Sequence, residues 1–208
     1  MALINPSHTT DTTRRQTVIA GLGLVSSLAA GALPGPAQAQ NTATRFANYV
    51  RLGNTELLLN GKGTRTKMFV KVYDMALYTP RRVQSASQLL AMPGPKRLSM
   101  VSLRTLKTAD IGLMFIKGMK ANCEPDVIAR YTTTVSDLIQ IFSYRSVMDV
   151  GVNFSMDFEP GKGTAFVFNG QQVAERVGDD EFFANALRIW FGRDPADPEL
   201  SQALLGKA

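Results

Sequence analysis

Gly61-Lys62-Gly63-Thr64-Arg65-Thr66-Lys67-Met68-Phe69-Val70-Lys71-Val72-Tyr73-Asp74-Met75-Ala76-Leu77-Tyr78 is the stretch that decides the fold. The two glycines around Lys62 predict a turn, followed by a basic segment. Phe69 to Tyr78 then predicts a buried strand, rich in residues suited to a pleated surface and free of proline until Pro80. Phe69, Lys71, Tyr73, Met75 and Leu77 share one parity, and Val70, Val72, Asp74, Ala76 and Tyr78 the other. Both sets are mostly apolar, so both faces are expected to be covered. A charge beside such a strand is costly unless paired, which singles out Arg65.

Outward from this strand, the pattern is strands, a helix pair, hairpins and a helix. Phe46 to Leu52 and Thr55 to Leu59 read as a hairpin around Gly53-Asn54. Ser85 to Met92 reads as a short helix stopped by Pro93-Gly94-Pro95, and Arg97 to Leu103 as a strand. Thr108 to Asn122 has Ile111, Phe115, Gly118, Met119 and Asn122 at helical spacing. Pro125 opens a second helix that the periodicity carries to about Phe142. Val150 to Phe158 alternates like a half-buried strand. Thr164 to Phe168 and Gln171 to Val177 flank the hairpin signal Asn169-Gly170. A helix from about Glu181, with Phe183, Leu187, Trp190 and Phe191 as its core stripe, ends at Gly192. A last short helix runs from Pro198 to Leu205. The fold class is therefore α+β, an antiparallel sheet covered by helices.

The N-terminal end has a different character. Arg14-Arg15 precedes an apolar run from Val18 to Leu33, then Pro34, Pro36 and the small-x-small site Ala37-Gln38-Ala39. Residues 1–39 are expected to be a signal peptide that is removed, leaving residues 40–208 as a single domain. The arginine pair points to twin-arginine export to a bacterial periplasm, with an ordinary export signal as the alternative. The run is too short and glycine-rich for a stable membrane span.

Composition narrows the chemistry. The 208 residues carry a net charge of +6, scattered except at Lys62–Lys71 and Arg81-Arg82. There is no basic stripe with interleaved aromatics, so nucleic acid is not an expected partner. His8 is the single histidine and belongs to the expected leader. Without imidazole in the mature chain, histidine-dependent triads and histidine-ligated zinc or haem are excluded. Cys123 is the single cysteine, so no internal disulfide forms. On an apolar helix it reads as a buried, inert thiol. Met75, Met114, Met119 and Met156 have no clustered partner ligands and read as core. No cofactor or metal is expected, and no feature assigns an oligomeric state.

The chain resembles the bacterial chalcone isomerase-like proteins, relatives of the plant enzyme and of the plant fatty-acid-binding proteins. The residues that carry the resemblance are Gly61 to Arg65, Phe69 to Tyr73, Ala76-Leu77-Tyr78 and Met119-Lys120-Ala121-Asn122-Cys123. Phe182-Phe183, Ala186 to Gly192 and Pro198-Glu199-Leu200 extend it towards the C-terminus. The resemblance implies an open-faced β-sandwich with a helical layer and a ligand cleft between that layer and the large sheet. It places the enzyme's arginine on Arg65 and its asparagine on Asn122. Three hydroxyl positions fall on Tyr73, Phe115 and Ile189.

One cation kept in a more apolar cleft suits an amphiphilic anion such as a fatty acid. Arg65 would grip the head group, Tyr73 would donate beside it, and Phe115 and Ile189 would line the tail. The residues alone leave open other readings. Arg65 can pair with a surface carboxylate, Tyr73 can be packing, and Asn122 can be a local backbone partner. Three function classes remain: an exported binding protein for amphiphilic anions, a chalcone isomerase-type isomerase or intramolecular lyase using Arg65 as electrophile, and an interaction protein with a closed cleft.

Overall fold

In the computed structural model, residues 42–207 are described. The expected leader, residues 1–39, lies outside them. The chain enters as β1 (Tyr49–Leu52), turns at Gly53 with φ +56°, and returns as β2 (Thr55–Lys67), followed by β3 (Val70–Thr79). A short helix, α1 (Ala86–Ala91), starts where the Ser85 side chain accepts the Gln88 N–H, and leads to β4 (Lys96–Ser102). Next come β5 (Leu106–Lys107), α2 (Thr108–Asn122), α3 (Pro125–Arg130), α4 (Thr132–Ser143) and β6 (Val147–Met148), which pairs with β5. The chain then forms β7 (Asn153–Glu159), β8 (Gly163–Phe168), β9 (Gln171–Gln172), α5 (Asp180–Phe191) and α6 (Pro198–Leu204).

The large sheet has the order β1-β2-β3-β4-β7-β8-β9, and each neighbouring pair is antiparallel. The helical segment between β4 and β7, together with α5, covers one face. The main core fills the space between, from Met75 and Leu77 on β3 to Phe142 on α4 and Phe183, Leu187 and Trp190 on α5. This is the α+β, open-faced arrangement expected from the sequence.

The two parities of β3 separate as their composition requires. Tyr73, Met75 and Leu77 join the main core, while Ala76 and Tyr78 join a second cluster with Leu52 and Leu57, overlaid by Phe46, Val50 and Leu59. Asp74 is fully buried, and hydrogen bonds satisfy its carboxylate: Thr64 Oγ1 donates at 2.5 Å and the Thr44 N–H at 2.7 Å.

Several expectations are corrected. Gly61-Lys62-Gly63 is not a turn, because β2 runs through it. Glycine is needed at 61 because a Cβ there would stand 2.2 Å from the Ala203 carbonyl oxygen of α6. Phe69 is not in the strand but at the β2–β3 turn with Met68, and β3 starts at Val70. The helix expected from Pro125 to Phe142 is broken at Tyr131, which takes φ −101° and ψ 22° while its hydroxyl donates to Asp179 Oδ1 at 2.9 Å. β7 is buried on both faces rather than half-buried. Its polar parity is covered because Arg97, opposite on β4, donates to Asp157 from both Nε and Nη2. The strand expected over Gln171–Val177 is only Gln171–Gln172, with Val177 rejoining the sheet as a bridge to Thr164.

Two bulges shape the β2–β3 pair. Asn60 is the extra residue on β2, and Val72 the extra residue on β3. Asn60 is buried and braces α6: its amide donates to the Leu204 and Val83 carbonyls at 2.8 and 3.0 Å, and its oxygen accepts the Val83 N–H at 2.7 Å. The Val72 bulge lets two successive β3 residues, Val72 and Tyr73, face one cleft.

Lys96, at the start of β4, is buried with its ammonium donating to the Met92 and Gly94 carbonyls at 2.6 and 3.1 Å, 5.4 Å from the centre of the Phe158 ring. Burial lowers its pKa from 10.5 to about 8, with Asp180 opposing the shift. Between those values the unfolded chain holds the extra proton, so this group's contribution to stability rises with pH across that window. An NMR titration of the Lys96 amine is expected to show a midpoint near 8, and Lys96→Met should flatten the corresponding rise in unfolding free energy. A midpoint near 10.5 would show that the ammonium is solvated.

Candidate functional site

Between the sheet and the helices lies a cleft of about 340 Å³. That is within the range usual for small-molecule sites. Its floor is Val72 and Tyr73 of β3, Met100 of β4, and Phe154 and Met156 of β7. Its roof is Ile111, Met114, Phe115 and Gly118 of α2, Phe142 of α4, and Ile189 and Trp190 of α5. Polar groups are confined to a few positions: Arg65 and Lys67 of β2, Lys117 of α2, and the Asp194-Pro195-Ala196 segment after α5.

The elements deliver these side chains for local reasons. A Cβ on Gly118 would come within 2.8 Å of Ile189, so glycine lets α2 and α5 approach and seats Ile189 in the cleft roof. Phe115 packs on Phe142, Phe166 and Trp190 with ring centres 6.2 to 6.5 Å apart. Arg65 and Tyr73 are direct partners in the β2–β3 register, beside the bulge. The guanidinium carbon of Arg65 lies 6.0 Å from the centre of the Tyr73 ring.

Arg65 is half-buried, and its Nη1 donates to the Ala196 carbonyl at 2.5 Å. Among the described residues it forms no ion pair with a carboxylate. The surface pairing left open by the sequence is not made there. Trp190 Nε1 donates to the Tyr73 hydroxyl oxygen at 3.2 Å, with the Arg65 charge close by. Burial raises the Tyr73 pKa, with the Arg65 charge opposing, so the phenol keeps its proton at neutral pH. An oxygen that accepts from the Trp190 N–H still has its own proton to donate.

The structure thus brings Arg65, Tyr73, Phe115 and Ile189 to one cleft. Asn122 does not line it. The Asn122 amide donates to the Gly118 and Asp194 carbonyls, both at 2.9 Å, and its oxygen accepts the Asp194 N–H at 2.8 Å. It clamps the segment whose Ala196 carbonyl receives Arg65. The sequence pattern reads Trp190 and Met114 as core, yet both line the cleft. For Trp190 a signal existed, since a buried indole N–H needs an acceptor. Nothing in the spacing pointed to the Ala196 carbonyl. Cys123 is buried away from this cleft, and burial pushes its thiol pKa up. Among the described residues, no group of three or more His, Cys, Asp or Glu side chains could hold a metal, and no helix is long and apolar enough to cross a membrane.

Residues 38–206 match the model of a family described as chalcone isomerase-like. No curated protein matches the sequence. Among solved structures, the chain is similar to a fatty-acid binding protein of Arabidopsis thaliana, at 13% identity and a TM-score of 0.60. The match covers 77% of this chain and 90% of that one. At that identity the likeness is one of fold.

Proposed function

This chain belongs to the chalcone isomerase-like family, and from that premise we propose that it binds fatty acids or similar amphiphilic anions in the cleft between sheet and helices. The observation that carries the reading is Arg65, a half-buried guanidinium free of any carboxylate among the described residues, at the polar end of an otherwise apolar cavity. A carboxylate there accepts from the guanidinium fork in a low-dielectric setting, and the Tyr73 hydroxyl supplies a further donor. Phe115, Ile189, Met100 and Met156 offer the tail an apolar wall. Asn122 positions the Asp194–Ala196 segment against Arg65 rather than touching the ligand. The fatty-acid-binding structure of the same fold supports the reading by analogy. Export through the Arg14-Arg15 leader to a periplasm is part of the same proposal, because the leader pattern precedes the domain directly.

Phe115 and Ile189 disfavour the isomerase alternative, since both positions that would orient a ketone and its water are apolar. Native mass spectrometry of the purified protein, with organic extraction of its cargo, tests the proposal. A long-chain acid in the extract, and saturable uptake of added fatty acids by the emptied protein, are expected. An empty protein that takes up no fatty acid would refute it. Conversion of a chalcone well above the spontaneous rate would transfer Arg65 to the isomerase reading.

A further inference from the structure

The tip of the β2–β3 hairpin is built from residues that serve neither its turn nor the core. Met68 and Phe69 are its two loop residues, between the paired Lys67 and Val70, with φ +47° and +66°. Two consecutive positive φ values define the turn that asparagine and glycine favour, and the same chain uses Asn169-Gly170 for its other such turn, at +46° and +83°. Methionine and phenylalanine adopt this backbone only with strain. They bury nothing in return: Met68 is 84% exposed and Phe69 102% exposed.

The surroundings of the tip are basic. Lys62, Arg65, Lys67 and Lys71 fall within ten residues that contain no acid. Lys67 and Lys71 are exposed and, among the described residues, unpaired. Across the cleft, α2 exposes Leu113 (66%) and Met114 (43%) beside Lys117. Lys67, Met114 and Lys117 line one cleft, so the apolar points and the lysines surround its mouth. The nearby acids are Asp110, one turn before Met114, and Asp194 and Asp197 of the α5–α6 segment. Asp197 is engaged by the Thr66 and Leu200 N–H groups.

We propose that the Met68–Phe69 hairpin tip docks on an anionic lipid surface, with Phe69 and Met68 entering the interface and the lysines meeting the head groups. Apolar side chains flanked by basic ones are what such an interface selects. A second copy of this chain is a poor occupant, because it would bring the same lysines against these. Docking places the cleft mouth at head-group level. An amphiphile would then pass between bilayer and cleft without crossing water, a consequence that rests on the binding function proposed above.

The test is cosedimentation of the full protein with vesicles of phosphatidylglycerol mixed into phosphatidylcholine, and with phosphatidylcholine alone. Binding to the anionic vesicles, weakened by salt, is expected. The double variant Met68→Asn, Phe69→Gly installs the favoured turn. It should melt at an unchanged or higher temperature while its vesicle affinity falls about tenfold or more. Fatty-acid uptake in vesicle-free solution should be unchanged, so loss of docking and loss of the cleft reading are separate results. Wild-type protein that ignores anionic vesicles, or a double variant that binds them as tightly as wild type, overturns docking. So does a tip-dependent dimer, seen by sedimentation, that binds no vesicles.

Discussion

Arg65→Ala is expected to weaken fatty-acid binding by at least about tenfold while the protein stays folded. Truncating one partner of a desolvated, hydrogen-bonded charge pair costs about 2–5 kcal/mol, because the carboxylate is left without its counter-charge. The fold should survive: within the described residues the Arg65 side chain hydrogen-bonds only the Ala196 carbonyl and holds no ion pair. Arg65→Lys should recover part of the affinity, since an ammonium keeps the charge but lacks the planar fork. Tyr73→Phe removes one donor, worth about 0.5–1.5 kcal/mol in binding. It also takes the acceptor from the buried Trp190 N–H, so some loss of thermal stability should accompany it. Calorimetric titration with a saturated fatty acid, alongside circular dichroism of each variant, checks these effects. Unchanged affinity in a folded Arg65→Ala protein would mean that the fold is present without the site.

Gly61→Ala should be a strongly damaging small substitution in the sheet. A methyl group there meets the Ala203 oxygen at 2.2 Å, the Leu204 oxygen at 2.5 Å and the Leu204 carbonyl carbon at 2.7 Å. All three are backbone atoms, so no rotamer change relieves the clash, and α6 must move away from β2. That movement breaks the Asn60 bond to the Leu204 carbonyl and leaves buried polar groups unpaired. The expected loss is about 3 kcal/mol or more, on the order of 6–12 °C in Tm for a chain of this size. Gly161→Ala is the control. Gly161 has φ +70°, but a methyl group added there would meet nothing within 4 Å, so only the backbone penalty of about 1 kcal/mol applies. Thermal unfolding of the two variants side by side decides the matter. A Gly61→Ala protein as stable as Gly161→Ala would mean that α6 is not seated against β2.

The sequence and the structure divide the explanation along the range of the forces involved. Period and punctuation act over a few residues, so they were legible. The Thr108–Asn122 helix has the bounds its stripe and Pro125 imply, the Gly53 and Asn169-Gly170 turns lie where their residues predict, and the two parities of β3 face two clusters. The absence of imidazole outside the expected leader needed no structure at all. What the pattern misread were positions whose reason lies far along the chain. Gly61 looks like a turn residue but is a strand residue kept small by α6, and Tyr131 interrupts a continuous helical period while bonded to Asp179. Phe69 reads as strand by composition, yet the β2–β3 register makes it, with Met68, the turn. The cleft divides in the same way. Arg65 stood out as a charge beside a buried strand, and the resemblance added Tyr73, Phe115 and Ile189. The Trp190 bond to Tyr73, the Ala196 carbonyl under Arg65 and the withdrawal of Asn122 from the cleft came only with the tertiary structure. Local sequence determines which elements form and which faces they bury. Hydrogen bonds between residues distant in sequence depend on how those elements are placed, and that placement decides which polar groups remain free to meet a ligand.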